Sequence, residues 1–352
     1  MLSKRMEHLV PYVAGEQPQD RRYIKLNTNE NPFPPTRKVK RLLKRFDSGA
    51  LRLYPDPKMT KLRQVIAERE GLAPECVFAG NGSDEVLSFC FYAFLDTVVF
   101  PELTYSFYPV YCDFYAIPYT TVAMNDDLGV NLDAFFPNKN SGPVIFSNPN
   151  SPTGMYIEHA EIERFLENAG GERIIIIDEA YIDFGGETCA DLINRHTNLI
   201  VVRTMSKSHS FAGLRLGYAL ASKELIDALF TVKDSFNSYP VHTIAQELGV
   251  QALLDSDANR KNREKIITTR EWISGKLSEM GWKVCPSKSN FIFCSMREKD
   301  GSFVYNELKR RGILVRYFDK DSLKDYVRIT IGTKSQMQAL LDAIEQISRG
   351  AG

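Results

Sequence analysis

Four short polar segments in the 352-residue sequence each follow an apolar run, and together they contain residue types that perform covalent and acid–base chemistry. The apolar runs are typical of strands buried on both faces of a parallel sheet. Because ligands bind at the carboxyl ends of such strands, we expect the four segments to line one site. They are GNGSDE (80–85), NPNSPTG (148–154), DEAY (178–181) and SKSHS (206–210).

The first segment, GNGSDE, is predicted to bind an anion such as phosphate. It follows a strand and begins a helix, so free backbone N–H groups and the helix dipole favour negative charge there. It lacks the third glycine of a dinucleotide-binding turn. An ordinary glycine turn with Ser83 or Asp84 capping the helix is the alternative.

The later segments supply one acid and two cations. Asp178 ends an apolar strand, and burying a carboxylate there costs free energy unless a cation, such as a protonated heterocyclic nitrogen, meets it. Lys207 follows another apolar strand, where a partly desolvated amine can attack a carbonyl carbon. Arg215, in the same loop, can bind a phosphate through two hydrogen bonds. Each residue alone has an ordinary structural explanation, and only the combination favours a catalytic site.

The composition argues against several classes of protein. Lys+Arg 44 balance Asp+Glu 44, whereas a nucleic-acid binder or a protein of acidic membranes needs a basic excess. The 6 cysteines form no CxxC pair, so neither a zinc site nor a redox dithiol is predicted. We find no signal peptide and no apolar run as long as a membrane span. We therefore expect a cytoplasmic protein with reduced thiols, without metal, nucleic-acid or membrane partners.

Apolar runs alternate with helical segments over much of the chain, which predicts an α/β fold with a largely parallel sheet. The predicted strands are 77–79, 144–146, 174–177 and 199–202, with a helix at 158–168. The pattern changes near residue 241 and predicts a smaller α+β domain, with elements at 243–254, 290–294, 303–310, 313–316, 327–331 and 334–347. We predict an N-terminal segment (1–35) that packs with the small domain, a large domain (36–240) and a small C-terminal domain (241–352).

The motifs resemble those of a known enzyme family. SKSHSFAGLRLG (206–217), NPNSPTG and DEAY are similar to the motifs of pyridoxal-phosphate enzymes of the aspartate-aminotransferase type, fold type I. Further motifs narrow the resemblance to the histidinol-phosphate aminotransferases: LNTNENPFPP (26–35), LYPDP (53–57), GNGSDE, TYSFYP (104–109), GILVR (312–316) and RITIGT (328–333). The resemblance implies a homodimer that transfers the amino group of histidinol phosphate to 2-oxoglutarate, giving imidazole acetol phosphate and glutamate in histidine biosynthesis.

The resemblance also assigns roles to residues. It implies that Lys207 binds pyridoxal 5'-phosphate covalently and moves a proton, that Asp178 pairs with the pyridine nitrogen, and that Tyr181 contacts the phenolic oxygen. Tyr105 is expected to stack on the ring. The implied phosphate contacts are the amides of Gly82, Ser83 and Asp84, the side chains of Ser206 and Arg215, and Tyr54 from the other subunit. The implied substrate contacts are Arg328 to the α-carboxylate, Arg316 to a second anion, and Asn29.

One position departs from the family pattern. The turn usually reads NPNNPTG, but Ser151 stands where the family has asparagine before Pro-Thr-Gly. Either Ser151 contacts the phenolic oxygen or its neighbour Asn150 does, and we predict Asn150.

Other functions stay open. A threonine-phosphate decarboxylase of cobalamin synthesis resembles this family closely and breaks the Cα–carboxylate bond, and the bond that breaks depends on fine placement against the ring. An aromatic amino acid aminotransferase would need no phosphate on its substrate. A regulator with this fold would carry a DNA-binding domain before residue 26, and a nicotinamide dehydrogenase would need the missing glycine.

Overall fold

The computed structural model describes residues 2–3, 6–7, 9–136, 142–297 and 299–350. The strands, numbered along the chain, are β1 (Ile24–Lys25), β2 (Val77–Gly80), β3 (Val98–Pro101), β4 (Tyr119–Val122), β5 (Val144–Ser147), β6 (Ile175–Asp178), β7 (Leu199–Thr204), β8 (Gly217–Ala221), β9 (Lys283–Val284), β10 (Phe291–Ser295), β11 (Ile313–Leu314), β12 (Arg316–Tyr317) and β13 (Tyr326–Thr330).

The helices are α1 (Arg37–Arg45), α2 (Thr60–Glu70), α3 (Ser83–Phe94), α4 (Tyr108–Tyr115), α5 (His159–Ala169), α6 (Lys223–Phe236), α7 (Thr243–Leu254), α8 (Ser256–Glu279), α9 (Gly301–Arg310) and α10 (Lys334–Gly350). Short 3₁₀ helices lie at Ser48–Arg52, Pro74–Cys76, Asp133–Phe135, Ile182–Phe184 and Ala190–Asn194. Within the described residues, no helix combines the length and the apolar character needed to cross a membrane.

A seven-stranded sheet in the order β2-β8-β7-β6-β5-β3-β4 forms the larger layer. β8 is antiparallel to both of its neighbours, and the other pairs are parallel. Along β6, Ile175 and Ile177 belong to the core on one face with α2, α5 and α7, and Ile176 belongs to the core on the other face with α3, α4 and α6. Both faces are covered, which explains why the strands read as unbroken apolar runs.

A smaller antiparallel sheet in the order β12-β13-β10-β9 packs against α8, α9 and α10 around its own core. The N-terminal segment joins this part of the molecule, because β1 pairs with β11 in parallel and Leu26 is buried in the same core. The mostly parallel seven-stranded sheet and the smaller antiparallel sheet, each packed against helices, confirm the predicted fold class, α/β with a smaller α+β part.

The predicted boundary between residues 240 and 241 does not coincide with the change of core. Leu248 and Leu253 of α7 are buried in the core of the seven-stranded sheet, whereas Ile266 and Ile273 of α8 are buried in the core of the smaller sheet. The periodicity of α7 predicts an apolar face but not the sheet that this face covers. The change of core therefore follows α7, and both predicted domain boundaries, after residues 35 and 240, stay predictions.

Gly217 lies at the start of β8, where this strand approaches the backbone at the start of α3 closely. A Cβ atom there would lie 2.3 Å from the Ser83 nitrogen and 2.6 Å from the Gly82 carbonyl carbon, which are backbone atoms that cannot rotate away. We expect Gly217→Ala to lower the free energy of unfolding by about 1–3 kcal/mol, as measured by denaturant titration. The matched control is Gly275→Ala in α8, where a Cβ meets no atom within 4 Å. This substitution should stabilise the helix by about 0.5–1 kcal/mol. Equal stability of the two variants would contradict the close approach.

Candidate active site

The candidate site lies where the strands β5, β6 and β7 end. Their parallel register places Ser147 beside Asp178 and Asp178 beside Val202. The segments that leave these strands therefore meet at one edge of the sheet, as expected for parallel strands. A cavity of about 280 Å³ opens there, and residues of β12 and β13 from the smaller sheet form part of its wall.

The structure brings most of the predicted site residues to this cavity. Those that line it are Asn29, Ser83, Asp84, Tyr105, Ser151, Asp178, Tyr181, Ser206, Lys207, Arg215, Arg316 and Arg328. Gly82, Asn150 and Tyr54 are not among the described residues that line it. Gly82 lies directly behind the wall, because a Cβ on it would be 2.7 Å from Nη2 of Arg215.

Lys207 lies in the loop between β7 and β8, and this loop is fixed on both sides of the lysine. The hydroxyl of Ser208 donates to Oδ2 of Asp183 at 2.5 Å, and Nδ2 of Asn31 donates to the Lys207 carbonyl oxygen at 2.9 Å. Within the described residues, the recorded acceptor of Nζ is the Thr28 carbonyl oxygen at 3.4 Å, a long contact. The amine thus has a fixed backbone and only a weak polar partner, so it can react with a ligand in the cavity.

An ion cluster beneath the cavity anchors this loop. Nη2 of Arg203 lies 2.9 Å from Oδ1 of Asp183, and its Nη1 lies 3.2 Å from Oε2 of Glu70. Burial alone would raise the pKa of Asp183, but the facing Arg203 guanidinium holds it well below its usual range. Burial lowers the pKa of the neighbouring His209 to about 3. The carboxylate that holds Ser208 therefore stays ionised at every pH near neutrality.

Asp178 is a buried carboxylate with two neutral donors. Its Oδ1 accepts from the Ala180 N–H at 3.0 Å, and its Oδ2 accepts from the Tyr108 hydroxyl at 3.0 Å. Burial raises the pKa of Asp178 to about 6, although both hydrogen bonds act to lower it. A cation in the cavity would favour the ionised form and reverse this shift.

The start of α3 offers a cradle for an anion. Gly82 at φ +88° begins the helix without any side-chain cap, so the N–H groups of the first turn have no intrahelical acceptor. Arg215 faces this turn from a left-handed backbone conformation, φ +57°, and its Nη2 lies 2.6 Å from Oδ2 of Asp84. The Tyr105 hydroxyl donates to Oδ1 of the same carboxylate at 3.1 Å. Free amides and a guanidinium at one helix start are typical of phosphate sites.

Arg328 lies on the opposite wall of the cavity, where it is half-buried with incomplete hydrogen bonding. Its guanidinium lies between the rings of Phe291 and Phe318, 5.3 and 5.5 Å from the ring centres. Nη2 donates to the Asn27 carbonyl oxygen at 3.3 Å, and Nε has no partner in the part of the chain that the structure describes. Burial lowers the pKa of Arg328. A half-buried cation with a buried, unpaired donor indicates an anionic ligand.

Arg316 is a second cation beside Arg328. Its Nη2 donates to the Val13 carbonyl oxygen at 3.1 Å, and its Nη1 makes a longer contact, 3.5 Å, with the Ala14 carbonyl oxygen. Among the residues that the structure describes, only neutral carbonyl groups accept from it, so its charge remains available to an anion in the cavity.

The side-chain amide of Asn150, predicted to contact the phenolic oxygen, is hydrogen-bonded within the protein. Its Nδ2 donates to the Leu103 carbonyl oxygen at 3.1 Å and to Oγ1 of Thr153 at 3.0 Å, and its Oδ1 accepts from the Ser147 hydroxyl at 3.0 Å. The amide therefore holds the turn together and connects it to the segment of Leu103. Ser151 is the residue of this pair that lines the cavity.

Several lining residues were not predicted. Tyr12, Ala14, Gly15 and Gln17 come from the N-terminal segment, where no motif marks them. Asn27 and Thr28 stand in the motif LNTNENPFPP, which contains the predicted Asn29, so this motif was a usable signal. Phe318, beside both arginines, follows the motif GILVR.

The chain is similar to known proteins over nearly its whole length. The family model described as aminotransferase class I and II matches residues 21–344. The chain is 50% identical to a histidinol-phosphate aminotransferase of Syntrophus aciditrophicus, over 99% of this chain and 98% of that protein. It is 47% identical to one of Chromohalobacter salexigens, over 99% of each. The crystal structure of the Sinorhizobium meliloti histidinol-phosphate aminotransferase in complex with pyridoxal-5'-phosphate shares the fold, with a TM-score of 0.86 at 23% identity over 94% of this chain and 93% of that one.

The charge of Asp178 gives a prediction about stability without ligand. A carboxyl whose pKa is raised on folding, here to about 6, contributes stability that is present below its unfolded pKa and is lost as the pH rises through its folded pKa. In Asp178→Asn this loss disappears, and the Tyr108 hydroxyl can turn to accept from the new amide. We expect the variant to unfold with a free energy about 1–3 kcal/mol higher than the wild type at pH 7, and to equal it near pH 4.

Asp183→Asn is the matched control for this measurement, because its carboxylate already has a cation. We expect it to lose about 1.5–3 kcal/mol at pH 7, since the buried Arg203 loses a charged hydrogen-bond partner but keeps Glu70. Denaturant titration of the ligand-free chains at both pH values measures both effects. A less stable Asp178→Asn variant at pH 7 would show that Asp178 is not an uncompensated charge.

Proposed function

The chain belongs to the class I and II aminotransferases, and on that premise we propose that it transfers the amino group of histidinol phosphate to 2-oxoglutarate, in histidine biosynthesis. Two relatives that are 50% and 47% identical carry the name histidinol-phosphate aminotransferase. The observation that carries the proposal is the half-buried Arg328, whose buried Nε has no partner among the described residues, in one cavity with the weakly partnered amine of Lys207.

Members of this family use pyridoxal phosphate, and the residues of the cavity fit that group. The free N–H groups at the start of α3, with Ser206 and Arg215, would hold its phosphate. The carboxylate of Asp178 would pair with the protonated pyridine nitrogen, which supplies the cation that this buried group lacks. When bound, the cofactor supplies an electron sink for the bond that breaks at the substrate Cα.

The side chains of this chain perform the remaining tasks. Lys207 would bind the cofactor through Nζ. Once freed by the amino donor, it would take the proton from the substrate Cα and deliver it to the cofactor carbon that is bonded to the transferred nitrogen. Asp178 would keep the pyridine nitrogen protonated throughout. Tyr181 and Ser151 would contact the phenolic oxygen, and Tyr105 would stack on the ring.

The two arginines suit the two substrates. Histidinol phosphate carries a phosphate ester on the carbon that corresponds to the α-carboxylate of glutamate, so one anion site must accept both groups. Arg328 can bind either anion, and Arg316, whose partners are neutral carbonyl groups, adds the second charge that a phosphate dianion needs. Asn29 lies at the same wall.

We also propose that the enzyme is a homodimer in which Tyr54 completes the phosphate site of the partner subunit. Tyr54 is 81% exposed, and within its own chain it stacks on Tyr239 with ring centres 4.5 Å apart, outside the cavity. Leu51 and Leu53 beside it are 58% exposed each. An apolar segment of this kind is stabilised when a second copy covers it. All 6 cysteines are free thiols, which supports the proposed cytoplasmic location.

The first half-reaction tests the proposed activity. Enzyme loaded with pyridoxal phosphate should lose the absorbance band of the Lys207-bound cofactor when histidinol phosphate is added without a keto acid, and it should release imidazole acetol phosphate in stoichiometric amount. Adding 2-oxoglutarate should restore the band. Lys207→Ala should show no such band, and its rate of amino transfer should fall by about 10²–10⁴-fold or more because the proton carrier is lost.

Parallel additions distinguish the other reactions of this fold. Release of carbon dioxide from threonine phosphate, with the band retained in histidinol phosphate, would replace the proposed activity by a decarboxylase. Equal reaction with phenylalanine would indicate an aromatic aminotransferase. A Lys207→Ala protein that still forms the band would refute the role of the lysine.

Hybrid dimers test the placement of Tyr54. Tyr54→Phe should weaken cofactor binding by about 10-fold or more, because a charged acceptor loses a donor. If Tyr54 serves the partner, a dimer of one Tyr54→Phe chain and one Lys207→Ala chain has one complete site, so an equal mixture should recover wild-type affinity in about a quarter of all sites. If Tyr54 serves its own chain, mixing recovers none. Tyr239→Phe, on the same surface, is the control and should bind the cofactor normally.

A further inference from the structure

Asn29 is buried between the two sheets and all of its polar atoms are paired. It is 2% exposed and has a left-handed backbone conformation, φ +54°. Its Nδ2 donates to the Tyr181 hydroxyl oxygen at 3.0 Å, and its Oδ1 accepts from the Thr330 hydroxyl at 3.0 Å. Its backbone N–H donates to the same Thr330 oxygen at 2.9 Å, and its carbonyl oxygen accepts from Nδ2 of Asn290 at 2.9 Å.

These contacts set the direction of the hydrogen bond to Tyr181. Oγ1 of Thr330 accepts from the Asn29 backbone N–H and gives its single proton to Oδ1. The amide therefore presents its NH₂ group to Tyr181, whose oxygen must accept. Because a phenol has one proton, the Tyr181 proton is left for an acceptor in the cavity, which Tyr181 lines.

The hydroxyl of Tyr181 carries particular weight in this chain. Ser151 replaces the asparagine of the usual turn, and the amide of Asn150 is used inside the turn. In the described part of that turn, the shorter Ser151 side chain is thus the remaining neutral donor for the phenolic oxygen of the cofactor.

We propose that Asn29 is a positioning residue that reserves the Tyr181 proton for the phenolic oxygen of the cofactor. The inference rests on the proposed function, since it needs a ligand with an anionic oxygen beside Tyr181. It differs from the contact to substrate implied by the family resemblance, because the amide of Asn29 faces Tyr181 and Thr330. Thr330 is on the same strand and the same face as Arg328, so the anion site and the Tyr181 hydroxyl share one support.

The left-handed backbone gives a simpler reason for an asparagine at this position, because asparagine tolerates this conformation better than most residues. Two substitutions separate the explanations. Asn29→Gly keeps the conformation unstrained and removes the amide. Asn29→Asp also tolerates the conformation, but it offers only acceptors, so it draws the Tyr181 proton away from the cavity.

The experiment is a pH titration of the absorbance of the Lys207-bound cofactor. A donor to the phenolic oxygen stabilises its anionic form, so losing the donor raises the pKa of the chromophore. We expect Tyr181→Phe to raise that pKa by about 1 unit or more, Asn29→Asp to give nearly the same increase, and Asn29→Gly to give a smaller one. The double variant Asn29→Asp/Tyr181→Phe should equal Tyr181→Phe, because the two residues act through one proton.

Asn259→Asp is the matched control. It removes one buried amide donor, to the Ala252 carbonyl oxygen at 2.7 Å, and does not line the cavity, so the chromophore pKa should stay at the wild-type value. An unchanged pKa in both Asn29 variants would overturn the proposal and leave only the backbone role. An additional increase in the double variant would also overturn it. A wild-type protein that forms no chromophore with Lys207 would instead refute the proposed function.

Discussion

The site depends on one buried carboxylate, Asp178, to which the fold provides neutral hydrogen-bond donors. Asp178 ends β6 at the edge where the parallel strands β5, β6 and β7 finish together. The Tyr108 hydroxyl and the Ala180 N–H stabilise it, but burial still raises its pKa to about 6. The ligand-free fold therefore carries an electrostatic cost at this point, which binding of a cation relieves.

On the opposite wall of the cavity, the fold again leaves a charged group with few partners, and here the group is a cation. The half-buried guanidinium of Arg328 lies between two phenylalanine rings, and its Nε has no partner in the part of the chain that the structure describes. The charges of Asp178 and Arg328 orient a ligand that is positive at one end and negative at the other, even before it forms hydrogen bonds. The cluster of Arg69, Arg203, Glu70 and Asp183 is a useful contrast, because its two cations are paired with its two carboxylates and it holds the loop of Lys207.

Different parts of this structure were visible in the sequence to different degrees. β5, β6 and β7 were predictable because burial on both faces leaves unbroken apolar runs. β8 was not, because GYALA contains small residues that fit a close approach to α3 and none that are β-branched. Motifs found Lys207, Asp178 and Arg215, but they did not show that the Asn150 amide binds the carbonyl oxygen of Leu103, which lies far away in the sequence. The core that α7 joins and the N-terminal residues at the cavity likewise depend on contacts that no local pattern records.

The pairing of β8 with both β2 and β7 affects the order in which the molecule can be assembled. β2 precedes the anion cradle, and its partner β8 follows the loop of Lys207 and Arg215, more than a hundred residues later in the chain. During synthesis the cradle and the lysine cannot face each other until β8 has left the ribosome and paired. A cofactor that needs both groups therefore binds a nearly finished large sheet and cannot serve as the nucleus on which that sheet forms.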